Sequence, residues 1–290
     1  MPPLVSVVIP CYKGSRFLAQ AIESCLNQTH RELEVIVVDD ASPENDAEIA
    51  ESYAARDNRV RVLRHAKNGG VSRAYNTGFA AARGEFFTRL SQDDMFRADA
   101  FEIMVRYLQA APQDVGLVYG DMQKVDQDGR YLSTWYQSPD PEKALFPTQE
   151  VGLCVMWRRS VNEMVGPFRP FFDFSEDYDF YLRVSRRYRL AKCGNEAPLF
   201  FRCHPDQNGT VSEMKQAVSY SLAQMAHNGA IIREHPLRLR PWKGIIGGAA
   251  RVMKWSWKIR WASVRGRKKG WMSLYRGSTA ESRGTMCRDR

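Results

Sequence analysis

Short β-branched runs alternate with helical patterns along the first two thirds of the chain, and this alternation most limits what it can fold into. Residues 4–10, 33–39, 60–65, 85–90 and 115–119 read as strands. Apolar residues spaced by three and four mark helices at 17–27, 45–56, 72–82 and 98–110. Clusters of Asp, Ser, Pro, Asn and Gly punctuate the joins. Strands that each hand over to a helix favour a mostly parallel α/β sheet covered on both faces. Ligands of such sheets bind beyond the carboxyl ends of the strands. An α/β domain over residues 1–210, with helical residues 211–290 behind it, is the expected organisation.

The strand ends are where polar chemistry gathers. The second strand ends in Asp39-Asp40 and the fourth runs into Ser91-Gln92-Asp93-Asp94, while Asn68-Gly69-Gly70 follows the third. Each has a plain structural use, since Asp caps helices and shapes turns, and a Gly-Gly pair makes a turn. Two adjacent carboxylates also suit an N–H donor on a nucleobase. Asp93-Asp94, beside Phe86, Phe87 and Leu90, is costly to desolvate unless it is paired or metal-bound. The loop 68–73 opens a helix, where backbone N–H groups and Arg73 suit a phosphate. After Asp121 the pattern turns irregular and aromatic. Glu176-Asp177 starts a further helical pattern, where acidic residues either favour the helix dipole or supply a base. His204 ends an expected strand at 198–203 and is either structural or a ligand.

At 44% hydrophobic and 26% charged residues, the composition excludes disorder for most of the chain. Six cysteines carry neither a zinc spacing nor the density of a disulfide scaffold, so reduced thiols are expected. The opening apolar run is too short for a secretory leader, and no run reaches the ~20 residues of a spanning helix. A cytoplasmic protein that does not cross a bilayer is therefore expected.

The net charge of +9 is unevenly placed. Residues 233–290 hold 16 Lys and Arg against 3 Asp and Glu, and the rest hold 26 against 30. Five of the seven tryptophans fall in the same basic tail. From about 236 the tail reads as an amphipathic helix, with Arg251, Lys254, Lys258 and Arg265 on one arc and Met253, Trp257, Trp261 and Val264 on another. It either packs through its apolar side or lies on an anionic membrane surface, at the inner face of the cytoplasmic membrane. No nucleic-acid module accompanies the charge, so nucleic acid is not an expected partner.

Six motifs in register carry a family resemblance over residues 4–205. They are Val5-Ser-Val-Val-Ile-Pro-Cys-Tyr-Lys-Gly14, Val37-Val-Asp-Asp-Ala-Ser42, Asn68-Gly-Gly-Val-Ser-Arg-Ala-Tyr-Asn-Thr-Gly78, Leu90-Ser-Gln-Asp-Asp94, Val165-Gly-Pro-Phe168 and Ser175-Glu-Asp-Tyr-Asp179. Together they resemble glycosyltransferase family 2, whose members have the Rossmann-like GT-A fold. The resemblance implies an inverting, non-processive hexosyl- or N-acetylhexosaminyl-transferase acting in cell-surface polysaccharide, lipopolysaccharide or glycolipid assembly. A nucleotide-diphospho-sugar donor, UDP-sugar favoured, a saccharide or lipid-linked acceptor and Mn²⁺ or Mg²⁺ are implied with it. By the same resemblance Pro10, Tyr12, Asp39, Asp40, Asn68, Gly69, Arg73 and Asp93 border the nucleotide. Asp94 and His204 bind the metal, and Asp177 is the base with Glu176 beside it.

One departure is Ser91, where the family's acidic motif begins with Asp. The processive synthases' Gln/Arg-x-x-Arg-Trp motif is absent after the Glu-Asp pair. Two rival readings stay open. A nucleotidyltransferase also needs a nucleotide pocket and metal carboxylates, but the turn Pro10–Arg16 is poor in glycine for its phosphate loop. A catalytically silent nucleotide-sugar-binding protein has only Ser91 in its favour.

Overall fold

The computed structural model describes residues 2–145, 151–205, 207, 220, 222–224, 226 and 227. Residues Met1–His204 form one compact unit. The expected amphipathic helix from about 236 lies outside the described residues. So does the part of the 211–290 region that would test its helical character.

The strands are β1 (Val5–Cys11), β2 (Leu33–Asp39), β3 (Val60–Arg64), β4 (Phe86–Arg89), β5 (Met95–Phe96), β6 (Val115–Tyr119), β7 (Met122–Val125), β8 (Tyr131–Trp135), β9 (Val155–Arg158), β10 (Arg189–Lys192) and β11 (Leu199–Arg202). The α-helices are α1 (Leu18–Leu26), α2 (Asp46–Ala54), α3 (Val71–Ala81), α4 (Ala100–Ala110), α5 (Pro141–Leu145), α6 (Arg159–Val165) and α7 (Glu176–Val184), with a 3₁₀ turn at Pro170–Phe172. The strands and helices expected within residues 4–203 are all present, with ends shifted by a few residues at most.

A seven-stranded sheet runs β10-β6-β9-β4-β1-β2-β3. Four of its pairings are parallel, and β9 lies antiparallel between β4 and β6. Every residue of β2, β4, β6 and β9 is buried. Alternate strand residues point to opposite faces, so helices and loops must cover both sides. This is the mostly parallel α/β sheet that the alternation implied. A four-stranded sheet, β5-β11-β7-β8, adjoins the sequence after the acidic motif.

Two devices seat the helices that matter for the site. Gly78 of α3 faces β1 and β2 so closely that a Cβ there would meet Val8 Cγ1 at 2.3 Å. On α7, Phe180 stacks on Phe168 with ring centroids 4.6 Å apart and meets Trp157 of β9 at 5.4 Å. Asn76 of α3 donates to the Phe168 carbonyl and accepts its N–H, both at 2.8 Å. Burying three such rings in mutual contact contributes more than their area alone.

Among the described residues no helix is long and apolar enough to cross a membrane. Cys11, Cys25, Cys154 and Cys193 carry free, buried thiols.

Candidate active site

The turn after β1 is short of glycine and is held by side chains instead. The Tyr12 N–H donates to Gln92 Oε1 at 2.8 Å, and Gln92 Nε2 donates back to the Tyr12 carbonyl at 3.2 Å. Asp46 accepts the Gly14 N–H at 3.0 Å, and the Lys13 N–H reaches the Ser42 hydroxyl. Lys13 sits at φ 54, a conformation that costs a side-chain-bearing residue energy and here is fixed from both sides. Pro10 lies at the end of β1, and the Tyr12 ring is 40% exposed at this mouth.

Asp39 and Asp40 are both buried, and neither caps α2, whose N-cap residue is Asn45. Asp39 accepts the Ser42 N–H at 2.9 Å and shapes the turn. Asp40 reaches across to the loop after β3. Its two oxygens accept the Gly69 and Gly70 N–H groups at 2.8 Å each, and His65 Nδ1 lies 2.6 Å from Oδ1. One carboxylate thus sets the conformation of the loop that opens α3, where Gly70 takes φ 89. Arg73 folds back onto the Gly69 carbonyl at 2.7 Å, so it stands beside Asn68 and Gly69.

Asp93 and His204 come together although 111 positions separate them in the chain. His204 Nε2 lies 3.0 Å from Asp93 Oδ2, and the His204 ring packs on Phe17. Asp94 is fully buried, and its Oδ1 accepts the Arg202 N–H at 2.9 Å. Burial first, and the Asp93 charge second, hold the Asp94 carboxyl well above the usual carboxylate range. The Arg202 guanidinium donates to the Asp93 and Gln127 carbonyls and to Gln20, and lies over Phe17. That arginine organises the acidic loop from behind.

Asp94 Oδ2 and His204 Nδ1 are buried without a hydrogen-bond partner. A carboxylate oxygen and an imidazole nitrogen are donor types that a divalent cation takes, although the ligand atoms of Asp93, Asp94 and His204 do not all lie within 4.8 Å of one another. Two protein ligands leave the rest of an octahedral shell to water and phosphate oxygens, as Mg²⁺ and Mn²⁺ prefer. Among the described residues, only Cys11, Asp39 and Asp46 bring three possible ligand atoms mutually within 4.8 Å. There the Asp39 and Asp46 carboxylates accept the Ser42 and Gly14 N–H groups, and burial pushes the Cys11 thiol up.

Glu176 and Asp177 open α7 over a buried cation, Arg89 of β4. Arg89 Nη2 donates to Glu176 Oε1 at 3.3 Å, and Nη1 lies 3.7 Å from Asp177 Oδ2. The guanidinium stands over the Tyr75 ring, 4.6 Å from its centroid. Burial, then the Asp177 charge, push the Glu176 carboxyl up to about 7 against the pull of Arg89. Asp173, just before this helix, accepts from the Ser72 hydroxyl and fixes the segment to the start of α3.

Each candidate residue therefore lies at or just beyond the carboxyl end of a strand or at the start of α3 or α7. Gln92 and Arg202 stand in polar clusters visible in the sequence but carry no expected role there, and Arg89 and Asp173 were missed. Arg89 and Arg202 had a signal, since each is the charged last residue of a short apolar strand. Nothing local marked Asp173.

Known proteins are similar. Over 132 residues the chain is 36% identical to glycosyltransferase GlyG of Streptococcus pneumoniae, covering 45% of this chain and 43% of GlyG. It is 32% identical over 219 residues to the uncharacterized glycosyltransferase EpsJ of Bacillus subtilis, covering 71% and 63% of the two chains. The chain thus spans less than two thirds of either relative. Residues 1–349 of TarS from S. aureus, solved with UDP-GlcNAc, superpose with a TM-score of 0.64 at 18% identity, over 79% of this chain and 66% of that one. PcManGT, a mannosyltransferase from Pyrobaculum calidifontis solved with GDP-Man and Mn²⁺, gives 0.57 at 18% identity, over 86% and 70%. At that identity the likeness shows the fold, which is GT-A. The family model for glycosyl transferase family 2 matches residues 6–165, more than half the chain, and the chain belongs to that family.

Proposed function

We propose that the protein transfers a single sugar from a nucleotide-diphospho-sugar to an acceptor hydroxyl, with inversion at the anomeric carbon. One observation carries this reading. A carboxylate–histidine group with orphaned ligand atoms, beyond β4 and β11, and a separate carboxylate pair at the start of α7 on the buried arginine that ends β4 lie in one compact unit. The first suits a diphosphate and its cation, and the second suits a base.

In this reading Tyr12, Asp39, Asp40 and the loop 68–73 border the base and diphosphate, with Pro10 at the end of β1. Asp93 approaches the ribose. Asp94 and His204 hold Mn²⁺ or Mg²⁺, which when bound supplies charge stabilisation to the leaving diphosphate. Arg73 adds a second positive charge there. Asp177 takes the proton from the acceptor hydroxyl as its oxygen attacks the anomeric carbon from the face opposite the diphosphate. One displacement, without a covalent intermediate, inverts that centre.

The solved TarS and PcManGT complexes, with UDP-GlcNAc and GDP-Man, support a hexosyl or N-acetylhexosaminyl donor, and we favour a UDP-sugar. The basic, tryptophan-rich residues from about 236 support a lipid-linked acceptor at an anionic membrane surface, in cell-surface polysaccharide, lipopolysaccharide or glycolipid assembly.

Incubation with UDP-glucose, UDP-N-acetylglucosamine and GDP-mannose, with and without Mn²⁺, tests the class. Free nucleoside diphosphate supports sugar transfer. Pyrophosphate marks a nucleotidyltransferase, and binding without turnover marks a silent domain.

A further inference from the structure

Arg89 is a full cation placed inside the molecule, in the strand under the base helix, and nothing in the proposed chemistry uses it. It is 4% exposed. Its Nη2 is committed to Glu176, but Nε and Nη1 have no hydrogen-bond partner, and Nη1 faces Asp177 at 3.7 Å. A buried guanidinium with uncommitted N–H groups is costly unless the charges around it compensate. The groups that face it are Tyr75 from α3 and Glu176, Asp177 and Tyr181 from α7. Asp173 adds its charge to Glu176 from the preceding segment.

Two carboxylates therefore share one fixed cation in a dry site, and the cation meets them unequally. We propose that Arg89 is a positioning residue for this pair: its one buried charge, 3.3 Å from Glu176 and 3.7 Å from Asp177, holds both carboxylates at the start of α7 and lets the pair release a proton that burial alone would keep there. The proposal rests on the reading of Asp177 as the base. The Tyr75 ring beneath the guanidinium and the short β4 strand fix where that charge can be.

The test is a pH series on the full chain with Arg89→Met, Arg89→Lys and Glu176→Gln. Carbon-13 NMR of labelled Asp and Glu carboxyls reads the pair directly, and release of UDP from UDP-N-acetylglucosamine or UDP-glucose reads turnover. In Arg89→Met the pair keeps its proton to higher pH, so the Glu176 titration and the acidic limb of turnover both move up by at least one unit. Arg89→Lys, which restores the charge, brings both back to within half a unit of wild type. Glu176→Gln moves the acidic limb the other way, because Asp177 then has the cation to itself. A purely structural arginine would lower the amplitude without moving either midpoint, and that result overturns the proposal. Should Arg89→Met fail to fold, an unmoved limb in Glu176→Gln overturns it alone, and without detectable turnover the NMR titrations of Arg89→Met and Arg89→Lys decide. Asp177→Asn separates the two levels. Wild-type turnover in that variant removes the base assignment, whereas a dead Asp177→Asn with unmoved titrations removes only the role of Arg89.

Discussion

Arg202 and Asp94 stand 108 residues apart in the chain, yet the N–H of one donates to the carboxylate of the other at 2.9 Å. The same arginine holds the carbonyl of Asp93 with its side chain. The acidic motif is therefore set from β11, and its geometry depends on a strand that arrives late in the sequence.

Replacing Arg202 with Met leaves that N–H in place and removes the guanidinium from the Asp93 and Gln127 carbonyls. Outer contacts of this kind change metal affinity by about 10–100-fold. A loss of that size is expected in Mn²⁺-dependent UDP binding, measured by calorimetry. Unchanged binding would make Arg202 a packing residue only.

Asp94→Ala is expected to weaken Mn²⁺-dependent UDP binding more than Asp93→Ala does, because Asp94 carries the orphaned oxygen. EDTA is expected to stop turnover. Full activity in EDTA would refute a metal-dependent reaction and make Ser91 the mark of a metal-independent variant.

Gly78→Ala adds a methyl group 2.3 Å from Val8 Cγ1, so α3 must retreat from the sheet. Overpacking of this kind costs about 1–3 kcal/mol, offset by at most about 1 kcal/mol of helix propensity. A lower melting temperature is expected, together with weaker nucleotide binding, because the loop 68–73 moves with its helix. A variant as stable as wild type would show that the sheet yields instead.

Glu176 sets a pH dependence of stability with a definite sign. Its folded pKa is raised to about 7, from an ordinary 4.5. The folded protein thus keeps a proton that the unfolded chain releases, and this contribution is fully present below about 4.5. It is lost as pH rises to about 7, with a slope of at most about 1.4 kcal/mol per unit. Urea midpoints of wild type and Glu176→Gln are expected to differ with that slope. A difference flat in pH would place the Glu176 pKa near its ordinary value.

The sequence reading reached the strand-end carboxylates because their signals are local. A β-branched run followed by Asp39-Asp40 or by Asp93-Asp94 is visible within ten residues, and so is the acidic start of α7. What it missed is long-range. Arg89 meets Glu176 across 87 positions, Gln92 meets Tyr12 across 80, and Ser72 meets Asp173 across 101, none with a periodic trace. β9 escaped because four residues are too few to show a period. Asp40 shows a subtler gap. Its place at a strand end was legible, but its grip on the Gly69 and Gly70 N–H groups was not.

The antiparallel β9 also dictates the order in which this sheet can be completed. Both neighbours of β6, β9 and β10, lie later in the chain than β6 itself. During synthesis β3-β2-β1-β4 can assemble as soon as residue 89 emerges, but β4 then presents Phe86 and Phe87 on an open edge. That edge stays unpaired while four more strands are made. Only when residues 155–158 leave the ribosome can the two halves join, with β9 as the seam. Exposed strand edges of this kind recruit other chains. A nascent chain stalled between β8 and β9 is thus the species most prone to aggregate and the one with most need of a chaperone.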